Sequence, residues 1–441
     1  MIIVEKLSLS SFPQLIKLII KDKLKHRKSI VYYVDSSNRA ERILKRLPPL
    51  FVDHFEKFNF IRDDLIDDKG YNISFKIRYE DYKKIYSKIL YDLSSKNYLS
   101  SDVLDIYIHG YLKACLLTYD WPNSNLPTEG KSLRKLLIFF NASAMMYKQT
   151  TIKSNALILI EKRPWMNILT DYGDQIGIQI SYINHFRLLN IFKKNNDLIR
   201  NILSKIKIYF ISSKKIITHA KMLSNKFVGP KIVSDQVMQL FPASSFWGIS
   251  NISSDDIVFT SKNHAAIDQN ELNDILNSGM RFISLSKRLS DDLDVPFFQT
   301  SNFTSFESGA KIVDFKTSDE EKIIYYYSRL YRNIKKLWIE FFEYTGAKIY
   351  VCHHKSISSI IPAFSAINEI GGISALWQMS YYEFPNPRES IFSDIYFPFS
   401  PKVAECEIQN GSVIKYLISI GFVLDFRFEM LKAPAKAMRG N

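Results

Sequence analysis

The chain has 441 residues, 46% of them apolar and 24% charged, and a formal net charge of +14. That length exceeds what one hydrophobic core usually supports, so two lobes are expected, and no apolar run nears the roughly 20 residues of a membrane-spanning helix. Cys115, Cys352 and Cys406 are too few and too scattered for a disulfide framework or a zinc site, and the opening MIIVEKLSLS lacks the charged and apolar regions of a secretory signal, so a cytoplasmic protein is expected.

Residues 1–50 read as strand, helix, strand, helix. Ile2–Val4 is a short strand and residues 12–25 have helical periodicity. Ser29–Val34 is a β-branched and aromatic run that ends at Asp35-Ser36-Ser37, a turn and helix cap. A helix through Ala40–Arg46 stops at Pro48-Pro49. The basic 12–28 segment carries Lys17, Lys21, Lys23, Lys25, Arg27 and Lys28 among Leu15, Ile16, Leu18, Ile19 and Ile20. The plain reading is a first core helix with a solvated lysine face. The alternative is a basic amphipathic helix on an anionic membrane surface.

Residues 51–150 look mostly helical, and Asp120–Gly130 reads as a loop. Further on, Ala156–Ile160 and Ile176–Ser181 are strands, a basic helix spans about 187–205, and Ile206–Ile211 is another strand. Asp256–Thr260, a helix over 268–279 and Arg281–Leu285 form a strand–helix–strand unit, and 289–316 reads as linker. A long helix over about 318–345 is capped by Thr317-Ser318-Asp319-Glu320-Glu321. Then come strand Lys348–Cys352, helix 356–370, and strands Ser374–Gln378, Asp394–Phe397 and Leu417–Gly421, followed by a helix-like run at 428–439. Short apolar strands alternating with helices predict an α/β fold: Rossmann-like parallel sheets with helices on both faces. The lobes are drawn as 1–300, with a helical insertion at about 51–150, and 317–441.

The sequence contains no G-x-G-x-x-G, Walker A, H-E-x-x-H or G-x-S-x-G motif, which argues against dehydrogenases, P-loop enzymes, zincins and α/β-hydrolases. No manganese-binding D-x-D site is read, and neither a metal nor a cofactor is called for. Nucleic acid is a poor partner, because the basic residues are dispersed and no nucleic-acid motif accompanies them.

The strongest local feature is 349–383. Strand 348–352 ends at His353-His354-Lys355, and the next helix opens with Ser356. In open parallel sheets ligands bind at the carboxyl ends of strands, where helix N-termini favour phosphate. There Lys355 and Ser356 would hold an anion, and His353 or His354 would act as a base; the plainer reading has one histidine packing at the strand end. The following strand delivers Gln378, Ser380 and Tyr381 at its carboxyl end, and Glu383 soon after. Glu383 is a candidate base or hydroxyl acceptor, or simply a solvated loop carboxylate. Arg163, after strand 156–160, is a candidate phosphate clamp, and His264 follows strand 256–260 by the same logic. For both, an ordinary charged loop is the plainer reading.

The stretch 347–425 resembles a family of bacterial surface-carbohydrate and polysaccharide biosynthesis proteins. An aromatic helix with Trp338 precedes His353-His354-Lys355; Gly371-Gly372-Ile373, Trp377-Gln378-Met379-Ser380-Tyr381 and Asp394-Ile395-Tyr396-Phe397 follow, and Val31–Asp35 fits the same picture. The resemblance is to two-Rossmann (GT-B) glycosyltransferases. It implies transfer of a sugar from a nucleotide-sugar to a polysaccharide or lipid-linked acceptor, in the cytoplasm or at the inner face of the membrane. In such enzymes the C-terminal lobe binds the donor, so a second lobe confined to 317–441 would be shortened. The alternative is a non-catalytic or truncated transferase-like binding or scaffold protein of polysaccharide assembly.

Overall fold

The computed structural model describes residues 1–9, 11–26, 29–58, 65–66, 69–95, 107–108, 110–112, 133–149, 156–183, 227, 229–235, 247, 250–261, 267–299, 318–352, 360–378, 390–421 and 436. The chain divides into two compact units. Unit 1 takes Met1–Tyr98, Leu116–Ile216 and Val313–Ile324, and unit 2 takes Leu99–Cys115, Ile217–Ile312 and Tyr325–Asn441.

Unit 1 is built on five parallel strands: β1 (Ile2–Leu7), β2 (Val31–Ser36), β3 (Phe55–Lys57), β4 (Leu157–Glu161) and β5 (Gln179–Ile183), in the order β3-β2-β1-β4-β5. Helices α1 (Phe12–Leu24), α2 (Asn38–Leu44) and α3 (Pro49–Val52) fill the crossovers from β1 to β3. Right-handed crossovers taken in one direction lie on one face of a sheet. Accordingly, Leu15 and Ile19 of α1, Ala40 of α2 and Phe51 of α3 share a core with Ile2, Val4, Val31 and Leu159. After β3 the chain forms α4 (Ile73–Lys76), a π-helical turn (Ile77–Asp81), α5 (Tyr82–Ser95) and, further on, α6 (Leu133–Gln149). Within the stretch read as a helical insertion, 51–150, the described residues after β3 are helical in these segments, and 96–106 and 113–132 lie outside the described residues. The helical segments join α7 (Met166–Gln175) through a buried network in which the Tyr172 hydroxyl donates to Asp81 at 3.0 Å and accepts from Asn141 at 2.7 Å. Burial, with Asp81 adding to it, pushes the Tyr172 phenol well above its usual range.

Unit 2 holds seven parallel strands in the order β12-β11-β10-β9-β6-β7-β8. They are β6 (Lys231–Ser234), β7 (Ile257–Ser261), β8 (Arg281–Ser284), β9 (Ala347–Cys352), β10 (Ile373–Trp377), β11 (Phe392–Phe397) and β12 (Val413–Leu417). The connecting helices are α8 (Gln269–Asn277), α9 (Lys287–Leu293), α10 (Asp319–Thr345, of which the residues through Ile324 belong to unit 1), α11 (Ile360–Glu369) and α12 (Pro401–Gln409). Strand order runs outward from β6 in one direction to β8, then resumes beside β6 and runs the other way. The handedness rule then puts helices on opposite faces. Leu272 and Ile275 of α8 pack with Ile257 and Phe259 on one face, while Phe341 and Phe342 of α10 and Phe364 and Ile367 of α11 pack with Val233, Tyr350 and Leu376 on the other.

The lobes divide differently from the sequence reading. Strands β6–β8, placed there in the first lobe, hydrogen-bond into the sheet of β9–β12. Among the described residues unit 2 thus has the larger sheet, seven strands against five. The expected linker at 289–316 begins inside α9, and its residues 300–316 lie outside the described residues. The loop at 120–130, the basic helix at 187–205, the strand at 206–211 and most of the run at 428–439 also lie outside them. Among the described residues no helix is long and apolar enough to cross a membrane.

Candidate functional site

Unit 2 has a topological switch point between β6 and β9. Connections leave these two neighbours in opposite directions, so their carboxyl ends are not roofed by a single crossover, and open α/β sheets bind ligands at such points. Ser234 pairs with Val351 across the switch, and the Asp235 amide donates to the Val351 carbonyl at 3.2 Å. The Tyr350 hydroxyl donates to Asp235 Oδ2 at 2.6 Å. Burial first, and the Asp235 charge second, hold the Tyr350 phenol well above its usual range, so it stays protonated and remains a donor. Its ring is wedged among Trp338, Phe342 and Phe364, with centroids 5.2, 5.2 and 5.6 Å away. The aromatic core thereby fixes the direction of an acidic side chain at the mouth of the sheet.

On the β7–β8 side of the switch the strand ends are hydroxylic. Ser261 and Ser284 end β7 and β8, both buried, and the Thr260 hydroxyl donates to the Ile283 carbonyl at 2.8 Å. Ser284 accepts from the Ser286 amide at 3.1 Å and donates to the Ser286 carbonyl at 2.7 Å, which shapes the turn into α9.

The sequence reading requires the segments after residues 352 and 378 to leave the same mouth. Strands β9 and β10 are hydrogen-bonded parallel neighbours, with Cys352 opposite Leu376, so the chain departs from both at one edge. His353, His354, Lys355, Ser356, Ser380, Tyr381, Glu383 and His264 themselves lie outside the described residues. By chain position, 353 follows β9 directly, and the segment holding His264 follows β7, on the far side of β6.

Two of the named residues have defined surroundings, and both have structural work. Gln378 is buried; its side-chain oxygen accepts from the Phe399 amide at 2.7 Å while its own amide donates to the Phe397 carbonyl at 3.0 Å. It stitches the end of β10 to the end of β11. Arg163 belongs to unit 1, only 7% exposed, with Nη2 2.6 Å from Glu5 Oε1 on β1. A guanidinium buried this deeply needs a carboxylate partner, and Glu5 supplies it in place of a phosphate. Neighbouring Lys162 pairs with Asp319 at 2.7 Å, and the Trp165 amide at the start of α7 donates to Glu320 at 2.6 Å. Carboxylates of the chain therefore already occupy the cationic loop of unit 1.

The sequence reading missed Asp235 and Tyr350. The signal was Lys231-Ile232-Val233-Ser234-Asp235 after Gly229-Pro230, a short strand ending in a turn residue. It also passed over a D-x-D spacing, Asp292-Leu293-Asp294. That triplet sits at the C-terminal end of α9, with Asp292 3.7 Å from Arg288 and Asp294 in a left-handed conformation. No cluster of metal-ligating side chains occurs among the described residues. No family model, curated protein or solved structure matches the chain.

Proposed function

We propose that this chain is a glycosyltransferase that moves a sugar from a nucleotide-activated donor to a bacterial surface polysaccharide or lipid-linked acceptor. The observation that supports the reading is the strand order of unit 2, which puts a switch point between β6 and β9, the strand that ends at Cys352. An open doubly wound sheet binds nucleotides at this place. In this reading Lys355 and the helix start at Ser356 hold the donor diphosphate, replacing its counter-ions with fixed charge and amide dipoles. His353 or His354 takes the proton of the acceptor hydroxyl, and Glu383 orients that hydroxyl or shares the role. In this reading Asp235, which accepts from Tyr350 at the neighbouring strand end, also accepts from a ribose or sugar hydroxyl. Two Rossmann-like units in one chain agree with the resemblance to GT-B enzymes, and the resemblance supplies the acceptor class.

The test is a thermal-shift screen of the full chain against UDP-, GDP-, CDP- and dTDP-linked sugars, repeated with His353→Ala and Lys355→Ala. One nucleotide family is expected to raise the melting temperature of the native protein, with the Lys355 variant losing most of that shift. A native protein unmoved by every donor would remove the proposal and leave the non-catalytic scaffold as the better account.

A further inference from the structure

Helix α1 divides its residues sharply around its axis. Phe12, Leu15 and Ile19 enter the core of unit 1. At 100° per residue, Lys17, Ile20, Lys21 and Leu24 form the stripe directly opposite, and all four are exposed, Ile20 at 44% and Leu24 at 78%. Lys25 flanks this stripe, and Lys23, in the last turn, is exposed as well. The one acidic residue of the helix, Asp22, accepts a hydrogen bond from the Ser29 hydroxyl.

The neighbouring helices on the same face of the sheet continue the pattern. Arg39 and Arg42 on α2, and Lys45 and Arg46 just after it, are exposed. Leu50, in α3, is 59% exposed behind Pro48 and Pro49. Glu41, the only carboxylate in α2, is engaged by the Ser36 hydroxyl at 2.6 Å. One outer layer of unit 1 therefore presents cations interleaved with protruding Ile and Leu side chains.

We infer that this α1–α3 face of unit 1 docks on an anionic lipid bilayer, with the cations against the headgroups and Ile20, Leu24 and Leu50 entering the acyl boundary. Charge complementarity selects an anionic surface. The exposed apolar side chains distinguish a bilayer from a nucleic acid, since a phosphodiester backbone offers them nothing while the acyl boundary removes them from water. Of the apolar residues that the sequence suggested for the membrane, Leu15 and Ile19 are in the core, and Ile20 is the one in the docking stripe. This inference stands independently of the sugar-transfer reading.

The experiment is flotation of the full chain with vesicles of phosphatidylcholine alone and of phosphatidylcholine with anionic phosphatidylglycerol. Binding only to the anionic vesicles, weakening with salt, is expected. Lys17→Glu with Lys21→Glu should lower partitioning more than about tenfold, given the contribution of each basic residue near such a surface. Ile20→Ser with Leu24→Ser, both at exposed positions, should lower it several-fold while circular dichroism stays unchanged. Arg288→Glu with Lys402→Glu, which makes the same change in net charge on unit 2, should bind as the native chain does. Absence of binding to anionic vesicles, equal loss in the unit 2 control, or full binding by the Ile20/Leu24 variant would each overturn the inference. So would preferential binding to a DNA duplex that the Ile20/Leu24 variant retains.

Discussion

Tyr350 and Asp235 meet across the switch point of the larger sheet, hydroxyl to carboxylate, at 2.6 Å. The tyrosine is fully enclosed by the core and the aspartate stands at the strand end, so the bond connects the packed interior to the edge where a ligand would lie. Tyr350→Phe keeps the ring packing and removes the donor. A hydrogen bond to a charged group contributes about 1.5–3 kcal/mol, so urea unfolding should show a loss of that order. If Asp235 contacts the nucleotide, the donor-induced thermal shift should shrink in the same variant. Retention of the full shift would put Asp235 away from the ligand.

Glu5 and Arg163 test a different kind of contact. Arg163 Nη1 and Glu5 Oε2 are buried without hydrogen-bond partners, so the pair is only partly satisfied by its 2.6 Å bond. Removing one member leaves the other charge stranded, at a cost of about 3–5 kcal/mol, whereas replacing both with apolar groups is often neutral or stabilising. Glu5→Gln should lower the melting temperature strongly, and Glu5→Leu combined with Arg163→Met should recover most of the loss. If Arg163 instead clamps a phosphate, its substitution would abolish donor binding with little effect on stability.

The sequence displayed the fold where short strands carry a largely apolar run. Residues 156–160, 256–260, 281–285 and 348–352 read as strands and overlap β4, β7, β8 and β9, because an apolar core of each run stands out from its polar ends. Strand β6 escaped because its apolar run is only Ile232-Val233, and its opening Lys231 is buried through a 2.7 Å pairing with Asp256, a contact made by folding and invisible in the pattern. Strand β12 was placed at 417–421 instead of 413–417 because Lys415 breaks its apolar run, and its ammonium reaches Asp394 on the neighbouring strand. Strand β5 begins three residues later than read because Gly177, with a φ of +80°, turns the chain first. The site was legible as a direction, since the strand ends at 352 and 378 do share an edge. The strand that makes this edge a switch point was the one the pattern hid.

Asp394 gives the fold a defined acid response. Burial alone would raise its carboxyl, but the Lys415 ammonium and the amide and hydroxyl of Ser374, both at 2.8 Å, together bring it below its ordinary value of 3.8. A carboxyl depressed in the folded state binds its proton more readily when unfolded, so its contribution is complete above the ordinary value and fades as pH falls through the lower folded value. Unfolding midpoints measured from pH 6 downward should drop through that window, and Asp394→Asn should flatten the drop. Lys415 is 68% exposed, so solvent weakens its share. Ser374→Ala should therefore alter the acid limb more than Lys415→Gln does, and the reverse order would assign the depression to the ion pair.

Gln378 separates a structural role from a binding role at the candidate site itself. Its side-chain oxygen is the acceptor for the Phe399 amide, and at 2% exposure water cannot replace it. Gln378→Ala orphans a buried donor, so a loss of about 1–3 kcal/mol is expected in denaturant unfolding. Gln378→Glu retains an oxygen for the amide but buries an ionisable group, whose proton is held more tightly in the folded state. Its stability should be best at low pH and decline as pH rises through the raised carboxyl value, the opposite sense to Asp394. Because the side chain faces the β11 end, both variants should keep the native donor-induced thermal shift at temperatures where they remain folded. A shift lost in Gln378→Ala while the fold persists would move this residue from the scaffold into the binding site.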